Sequence, residues 1–330
     1  MEKHETLMNV QNLYKHFPVK RKITDVIMRE PKKSVKAVDG VSLEIKKNEI
    51  LSLVGESGCG KSSLARTIIR LYEPDRGEIT YGETDIAHLN HNKLKDYRKK
   101  MQMVFQDPYS SLNPRMKIKD ALREELLFHK ICKKEEAEEK ILEIIGKVGL
   151  PETALERYPS EFSGGQRQRI GIARALAVNP EFIIADEPVS ALDVSIQAQI
   201  LNLLLELQKN YGLSILFISH DLRVVNYISD RVAVMYLGKI VELGTAQQIY
   251  ESCLHPYTEV LLKSAPNLDP RVRSEKPMIE GNPPSPIDIL PGCRFCKRCR
   301  YAEGICFEEQ PGLREVESGH FCACYRYEKN

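Results

Sequence analysis

The stretch Gly55-Glu56-Ser57-Gly58-Cys59-Gly60-Lys61-Ser62 follows the apolar run Ile50–Val54 and precedes a helical pattern over Lys61–Leu71. It fits the phosphate-binding loop (P-loop) pattern G-x-x-x-x-G-K-[ST], in which glycines turn backbone N–H groups towards phosphate oxygens. Lys61 would reach the terminal phosphates and Ser62 would bind Mg²⁺. A glycine-rich structural turn is the alternative, but the combined pattern favours nucleotide binding. The residues of this loop predicted to bind the nucleotide are Gly55, Ser57, Gly58, Cys59, Gly60, Lys61, Ser62 and Ser63.

A second apolar run, Phe182–Ala185, ends in two adjacent carboxylates, Asp186 and Glu187. A strand that ends this way places acidic groups at the edge of the sheet where phosphates bind. Asp186 is predicted to hold Mg²⁺ through its water shell, and Glu187 to polarise the attacking water as a general base. Adjacent carboxylates at a strand end are commonly only solvated. The P-loop in the same chain favours catalysis here.

Short apolar runs alternate with helical patterns along the chain, which indicates an α/β fold with a largely parallel sheet. Met8–Phe17 is expected to form an edge strand, followed by a solvated basic loop over Pro18–Ser34. Charged, helix-favouring sequence over residues 107–179 predicts a helical subdomain inserted into the sheet domain. Prolines after Pro266 predict a linker that leads into a small tail. The predicted domains are therefore 1–265 and 266–330.

Charge and hydropathy exclude several classes of protein. The 330 residues include 48 Lys and Arg and 46 Asp and Glu. Because these charges nearly balance, the composition does not predict a nucleic-acid partner. The apolar runs have the length of strands and are too short to cross a bilayer. The first ten residues do not resemble a signal peptide, which predicts that the protein stays in the cytosol. If a membrane is involved, another chain must provide the span.

The stretch Phe162-Ser163-Gly164-Gly165-Gln166-Arg167-Gln168-Arg169 resembles the signature of ATP-binding cassette (ABC) ATPases, usually written LSGGQ, with Phe162 in place of leucine. The resemblance implies an ABC-type P-loop NTPase fold. It also implies that the signature heads a helix which contacts the γ-phosphate of ATP held by an opposing subunit, so that two chains close around the nucleotide. The signature residues implied to contact ATP are Ser163, Gly164, Gly165 and Gln166.

Other ABC elements follow in the order typical of the family, over about residues 8 to 265. Phe17 matches the aromatic residue that stacks on adenine, with Tyr14 as a nearby competitor. Gln106 matches the glutamine that contacts Mg²⁺ or the attacking water. Asp193 belongs to a loop that crosses the dimer interface, and His220 matches the switch histidine that contacts the γ-phosphate.

The chain is identified as most similar to ATPases of bacterial oligopeptide/dipeptide importers. About a hundred residues separate Ser62 from Ser163, too few for the long coiled coils of repair ATPases. The stretches 105–116 and 254–258 are similar to these importer ATPases. The basic insertion after Phe17 and the string Ser111-Leu112-Asn113-Pro114-Arg115 look most like the F-type ATPase of the system. The resemblance implies an ATPase on the cytoplasmic face of the cell membrane. Its implied partners are a D-type ATPase, two transmembrane permease subunits and, indirectly, an extracytoplasmic peptide-binding protein, with no nucleic acid. The alternatives are an importer ATPase for nickel or sugar, and a soluble ABC ATPase acting on nucleic acid or ribosomes.

Six of the nine cysteines crowd the last forty residues, a density that in a reducing compartment favours metal over disulfides. The resemblance to peptide importers implies a [4Fe–4S] cluster in a small metal-binding extension. Four thiolates suit tetrahedral zinc equally well, so zinc is the alternative. The implied cluster ligands are Cys293, Cys299, Cys306 and Cys324, with Cys296 and Cys322 as alternative ligands.

Overall fold

The computed structural model describes residues 5–19, 33–107, 112–264, 284–287, 289 and 291–328. Its contacts divide the chain into two compact units. Unit one comprises Met1–Leu7, Ile45–Ile50 and His88–Ser219, and unit two comprises Met8–Glu44, Leu51–Ala87 and His220–Asn330. Most of the basic loop after Phe17, the segment 108–111 and most of the predicted proline-rich linker lie outside the described residues.

Strands and helices alternate over the middle of the chain, as the sequence predicts. The strands are β1 (Thr6–Pro18), β2 (Ser34–Lys46), β3 (Ile50–Val54), β4 (Arg76–Tyr81), β5 (Thr84–Asp85), β6 (Met101–Val104), β7 (Phe182–Asp186), β8 (Ser214–Ile218), β9 (Arg231–Tyr236), β10 (Lys239–Thr245), β11 (Arg314–Glu317) and β12 (His320–Cys322). The α-helices are α1 (Lys61–Ile68), α2 (His91–Lys100), α3 (Ile118–Phe128), α4 (Ala137–Lys147), α5 (Gly164–Leu176), α6 (Val194–Tyr211), α7 (Leu222–Ile228), α8 (Ala246–Glu251), α9 (Pro256–Ser264) and α10 (Ile305–Glu308).

Unit one contains a parallel ladder in which β7 pairs with β6 on one side and β8 on the other. Every residue of β7 and β8 is buried. Strands covered on both faces are expected to be apolar along their whole length, and both runs are. The ladder therefore brings the carboxyl ends of β6 and β7 side by side, which positions the residues that follow them.

The helices α3, α4 and α5 of unit one pack against one another. Helix α4 shows why: its buried residues are Ala137, Ile141, Ile144 and Ile145, which recur at the spacing of one helical face. The charged residues between them face outward. The segment 107–179 is thus helical wherever it has regular structure among the described residues, while the predicted domain boundaries stay a prediction.

Unit two contains the strand order β11-β12-β10-β9-β3 and a separate four-stranded sheet in the order β2-β1-β4-β5. Strands β3 and β9 are parallel, whereas β9, β10, β12 and β11 pair antiparallel in turn. The expectation of a largely parallel sheet thus holds for the ladder in unit one and for β3 with β9, but not for the rest of unit two.

The prediction that Met8–Phe17 forms an edge strand is wrong. Strand β1 lies between β2 and β4, and its residues pair antiparallel with β4 from Met8 opposite Tyr81 to Tyr14 opposite Arg76. The sequence does not predict the pairing of β1 with β4, because only two of the six residues of β4, Ile79 and Tyr81, are buried. Its polar sequence gives a weak strand signal.

Candidate nucleotide-binding site

The P-loop of unit two takes a conformation that requires glycine at two positions. Gly55 and Gly60 have φ angles of 153° and 112°. A Cβ atom on Gly60 would lie 2.0 Å from the carbonyl oxygen of Ala37, and one on Gly55 would lie 2.2 Å from the carbonyl oxygen of Met235. Both obstacles are backbone atoms, so a side chain could not be accommodated by a change of rotamer. The loop is therefore fixed by β2 and β9 as well as by its own sequence.

Lys61 begins α1 directly after this loop and is buried. Its ammonium group donates hydrogen bonds to the carbonyl oxygens of Gly55, at 2.7 Å, and Glu56, at 3.1 Å. The side chain therefore folds back over the loop, and its ammonium group lies against the loop's carbonyl oxygens. Ser62 and Ser63 follow in the first turn, both partly exposed. Such a helix start, with a lysine beside it, suits phosphate oxygens.

Cys59 is buried within the loop, and burial raises the pKa of its thiol. Its sulfur lies 3.9 Å from the Lys61 ammonium. Ser57 and Gly58 form the more exposed part of the loop.

In unit one, the ends of β6 and β7 bring Gln106 to Glu187. The Gln106 amide donates a hydrogen bond to the Glu187 carboxylate at 3.0 Å. Asp186 ends β7 and is buried, whereas Glu187 is partly exposed with a φ angle of 48°. The Glu187 backbone N–H donates to the carbonyl of Ile218 at the end of β8. The turn after β7 is thus fixed by a backbone hydrogen bond to β8, and the Glu187 carboxylate lies beside Gln106.

The signature residues start α5 in unit one through a reciprocal cap. The Ser163 hydroxyl accepts from the Gln166 N–H, and the Gln166 side chain accepts from the Ser163 N–H. Gly164 and Gly165 form the first turn. A Cβ on Gly165 would lie only 2.3 Å from a methyl group of Ile196 on α6. The second glycine is therefore required by the close approach of α6.

Two further predicted residues lie at helix starts or strand ends. Asp193 caps α6 by accepting from the N–H of Ile196 at 3.0 Å, and this backbone hydrogen bond holds the pKa of Asp193 below its usual value. Asp193 therefore has a structural role in unit one. His220 is an exposed residue of unit two and directly precedes Asp221, which caps α7.

Phe17, the predicted adenine partner, lies near the end of β1 in unit two. Its ring packs edge-on against Tyr72 with centroids 5.4 Å apart, and the Lys15 ammonium lies 5.6 Å from its centroid. The competitor Tyr14 instead packs edge-on against His16. Phe17 is half-buried, so part of its ring is accessible.

Five of the six tail cysteines line one small cavity in unit two. They share it with His255, Tyr301 and Pro311 among others. Burial raises the pKa of the Cys293 thiol to about 12, and neighbouring thiols add to the effect. The sixth, Cys322, lies on β12 and does not line the cavity. The cysteines that line it are Cys293, Cys296, Cys299, Cys306 and Cys324.

Comparison with protein families finds matches to "ABC transporter" over residues 38–190 and to "Oligopeptide/dipeptide transporter, C-terminal region" over residues 241–306. The chain is 50% identical over 331 residues to the oligopeptide transport ATP-binding protein AppF of Bacillus subtilis (strain 168), covering 98% of each chain. The chain belongs to the ATP-binding proteins of ABC transporters. It is also 47% identical over 326 residues to the dipeptide transport ATP-binding protein DppF of Escherichia coli (strain K12), covering 99% of this chain and 96% of that protein.

Solved ABC cassettes share the fold of this ABC protein. The dimeric cassette MJ0796 in a post-hydrolysis state, bound to ADP and Pi, matches with a TM-score of 0.63 at 29% identity, over 72% of this chain and 98% of that one. The α/β cassette fold and the resemblance to F-type ATPases of oligopeptide/dipeptide importers are thus confirmed. Among the described residues of this ABC protein, no helix is long and apolar enough to cross a bilayer.

The predicted metal-binding extension of this ABC protein is not confirmed. Within the described ranges, no three His, Cys, Asp or Glu side chains form a group that could hold a metal ion. All nine cysteines are free thiols in the structure. The soft donor set on one cavity suits an iron–sulfur cluster or zinc chemically, so both remain predictions.

Two functional contacts could not be identified from the sequence of this ABC protein. The Tyr257 hydroxyl accepts a hydrogen bond from the P-loop N–H of Glu56 at 2.9 Å, across 201 residues of chain. Ile196, which fills the space beside Gly165, lies on a different helix, α6. Neither contact leaves a local pattern that could have predicted it.

Proposed function

We propose that this ABC protein hydrolyses ATP to power the import of oligopeptides or dipeptides through a membrane permease. The observation that carries the proposal is the 50% identity, over 98% of the chain, to a protein named for oligopeptide transport. The match to the oligopeptide/dipeptide C-terminal region supports the same cargo class. The P-loop geometry supports ATP as the nucleotide substrate, because its lysine and helix start suit a polyphosphate.

The predicted residues of the P-loop and of the ends of β6, β7 and β8 have proposed roles in this reaction. The P-loop N–H groups and Lys61 bind the β- and γ-phosphates, and Phe17 stacks on adenine. Ser62, Gln106 and Asp186 would hold Mg²⁺, which would supply positive charge against the phosphates. Glu187 accepts a proton from the attacking water, with His220 on the γ-phosphate. The hydrogen bond from Gln106 to Glu187 supports the assignment of Glu187, since it orients the carboxylate without adding charge.

We propose that the working form contains two cassettes, with this chain beside a D-type ATPase. Ser163 to Gln166 of this chain would bind the γ-phosphate of ATP held by the partner. The partner's own signature would bind the ATP held by the P-loop of this chain. The dimeric state of the cassette MJ0796 supports this arrangement. Two permease subunits would place the pair on the cytoplasmic face of the membrane, and a peptide-binding protein would deliver the cargo from outside.

Replacing Glu187 with Gln tests the catalytic assignment. Hydrolysis should fall by roughly 10² to 10⁴, as expected for loss of a general base, while ATP still binds. Phosphate release is measured in membrane vesicles that contain the assembled transporter, and binding with a fluorescent ATP analogue. Glu181→Gln, an exposed carboxylate beside the opposite end of β7, is the matched control. If Glu187→Gln hydrolyses ATP as fast as this control, Glu187 is not the base.

Uptake assays test the cargo. Cells that lack the chain should lose uptake of labelled di- or oligopeptides and regain it with the unaltered chain, but not with Glu187→Gln. If nickel or sugar uptake falls instead, the importer function stands and the peptide cargo is wrong. A chain found with ribosomes, and without effect on any uptake, would favour a soluble ABC ATPase.

We propose, as a separate point, that the tail thiols hold a [4Fe–4S] cluster, which would supply folding energy to a segment with few apolar residues. The five cysteines that share one cavity support this. Anaerobically purified protein should be brown with matched iron and sulfide, and Cys293→Ser should lose both. Cys253→Ser, outside the tail, should retain them. One zinc per chain, or no metal in the unaltered protein, would overturn the proposal.

A further inference from the structure

The cysteine-rich tail contacts the P-loop through one buried arginine. Arg298 lies between Cys296 and Cys299, and only 6% of its side chain is exposed. Its guanidinium forms two hydrogen bonds to the two oxygens of the Glu56 carboxylate, at 2.9 Å and 3.1 Å. The same group donates to the Tyr236 hydroxyl at 3.0 Å. This two-pronged geometry is the strongest form of a carboxylate–arginine pair.

Aromatic rings hold Arg298 in place. Its guanidinium lies 5.8 Å from the ring centroids of both Tyr236 and Phe295. Phe295 in turn packs edge-on against Tyr236, with centroids 5.4 Å apart, and at a tilt against Tyr257, with centroids 5.5 Å apart. These rings belong to β9, to α9 and to the tail, all within unit two. Arg298 can therefore reach the P-loop only when the tail is folded against the rings of Tyr236 and Tyr257.

Glu56 is held both through its side chain and through its backbone. Its carboxylate pairs with Arg298, and its N–H donates to the Tyr257 hydroxyl. Glu56 is also the residue directly after Gly55, and its carbonyl oxygen accepts from the Lys61 ammonium. Without a cationic partner, its carboxylate would place a negative charge in a loop that suits anionic phosphates. Like charges in such a site repel by an amount that depends on their separation and on solvent.

We propose that Arg298 is a positioning residue for nucleotide binding: it neutralises Glu56 and fixes the first turn of the P-loop, so that ATP affinity depends on the folded tail. This rests on the proposed function only in that the P-loop binds ATP. The tail thereby acts on the nucleotide site through an electrostatic contact that needs no tail residue to touch ATP. Because binding effects are reciprocal, ATP would stabilise the tail by the same factor.

The test is ATP affinity in Arg298→Gln, measured by equilibrium titration of the full chain with a fluorescent ATP analogue and Mg²⁺. The dissociation constant should rise roughly tenfold, because Glu56 is left unpaired. The double variant Arg298→Gln/Glu56→Gln removes both charges and should recover to within about threefold of the unaltered chain. A role limited to tail docking predicts no such recovery. At about 0.5 M salt the tenfold difference should shrink, since salt screens the repulsion.

Arg300→Gln is the matched control. Arg300 lies in the same tail segment and pairs with Glu259, but 64% of its side chain is exposed and it does not contact the P-loop in the structure. Its ATP affinity should match that of the unaltered chain. The inference is overturned if Arg298→Gln binds ATP as this control does, or if the double variant binds as weakly as the single one. If Arg298→Gln does not fold, Arg298→Lys replaces it. Its ammonium keeps the charge but loses the two-pronged pairing with Glu56, so the dissociation constant should rise by about threefold, and a value equal to that of the Arg300→Gln control would overturn the inference. An unaltered chain that binds no ATP would instead refute the proposed function.

Discussion

Glu242 offers the sharpest test of how the tail is attached. It lies on β10 with none of its surface exposed. Its carboxylate accepts hydrogen bonds from the backbone N–H groups of Leu254, at 2.7 Å, and His255, at 3.0 Å. A third comes from the Nε2 of His320 on β12, at 2.8 Å. One carboxylate thus joins β10, the segment before α9 and the tail.

Replacing Glu242 with Gln preserves the size of the side chain and removes one acceptor. The amide oxygen can serve the Leu254 and His320 donors, but the amide nitrogen then faces the N–H of His255. The change removes a hydrogen bond to a charged group, worth about 1.5–3 kcal/mol, and leaves a buried donor unsatisfied at about 1–3 kcal/mol. Because the segment before α9 can relax, we expect a loss of about 3 kcal/mol. For a unit of this size that corresponds to a melting temperature lower by roughly 6–12 °C.

Urea unfolding followed by tyrosine fluorescence measures the loss, because Tyr236 and Tyr257 lie buried in the same unit. The control is Glu251→Gln on α8, an exposed carboxylate that accepts one hydrogen bond from Gln247. It should change the free energy of unfolding by no more than about 0.5 kcal/mol. A Glu242→Gln variant that unfolds within this margin of the control would refute the reasoning. It would mean that the three hydrogen bonds are not jointly needed.

Three further predictions follow from the glycines and one histidine. Gly60→Ala should destabilise the chain by about 3 kcal/mol or more, because its Cβ would meet a backbone carbonyl. Gly58→Ala should cost only about 1 kcal/mol, because its Cβ would meet no atom within 4 Å. Equal losses of stability in thermal unfolding would contradict this prediction. In α5, Gly171→Ala should raise stability by about 1 kcal/mol, because a Cβ at this position meets open space. Gly165→Ala should lower stability, because its Cβ would lie 2.3 Å from a methyl group of Ile196; calorimetry separates the two variants. Burial lowers the pKa of His255 to about 4. Between about pH 6.5 and 4 the imidazole is therefore protonated in the unfolded chain but neutral in the folded one, so stability should be lost as the pH falls through this range. His255→Asn should flatten that slope in urea titrations between about pH 7 and 5, and an unchanged slope would exclude this histidine as the cause.

The centre of the fold was predictable from sequence because chemistry restricts it. A P-loop needs glycines after a buried strand, so β3, the loop and α1 could be assigned from one motif. The run that ends at Asp186 was equally clear, because a strand buried on both faces is apolar throughout. The start of α5 followed from the signature, where serine and glutamine form a capping pair.

The antiparallel strands were not predictable in the same way. Strands β11 and β12 contain Arg314–Glu317 and His320–Cys322, which are short and mostly polar. The pairing of β12 with β10 depends on contacts across more than seventy residues, such as Glu242 with His320. Local sequence carries no signal for such a contact, so the tail could be described only as a cysteine-rich segment.

The attachment of the tail bears on what the tail does. It contributes few buried apolar side chains, mainly Phe295, and is held instead by charged groups. Arg294 pairs with Asp39 on β2, where its charge holds the pKa of that carboxyl low against the effect of burial, and Arg298 pairs with Glu56 in the P-loop. Removing one partner of a buried pair is strongly destabilising, because it leaves the other charge uncompensated. A change that unfolds the tail would therefore leave the Glu56 carboxylate in the P-loop without its arginine partner. This is the physical reason that the nucleotide site should respond to the state of the tail.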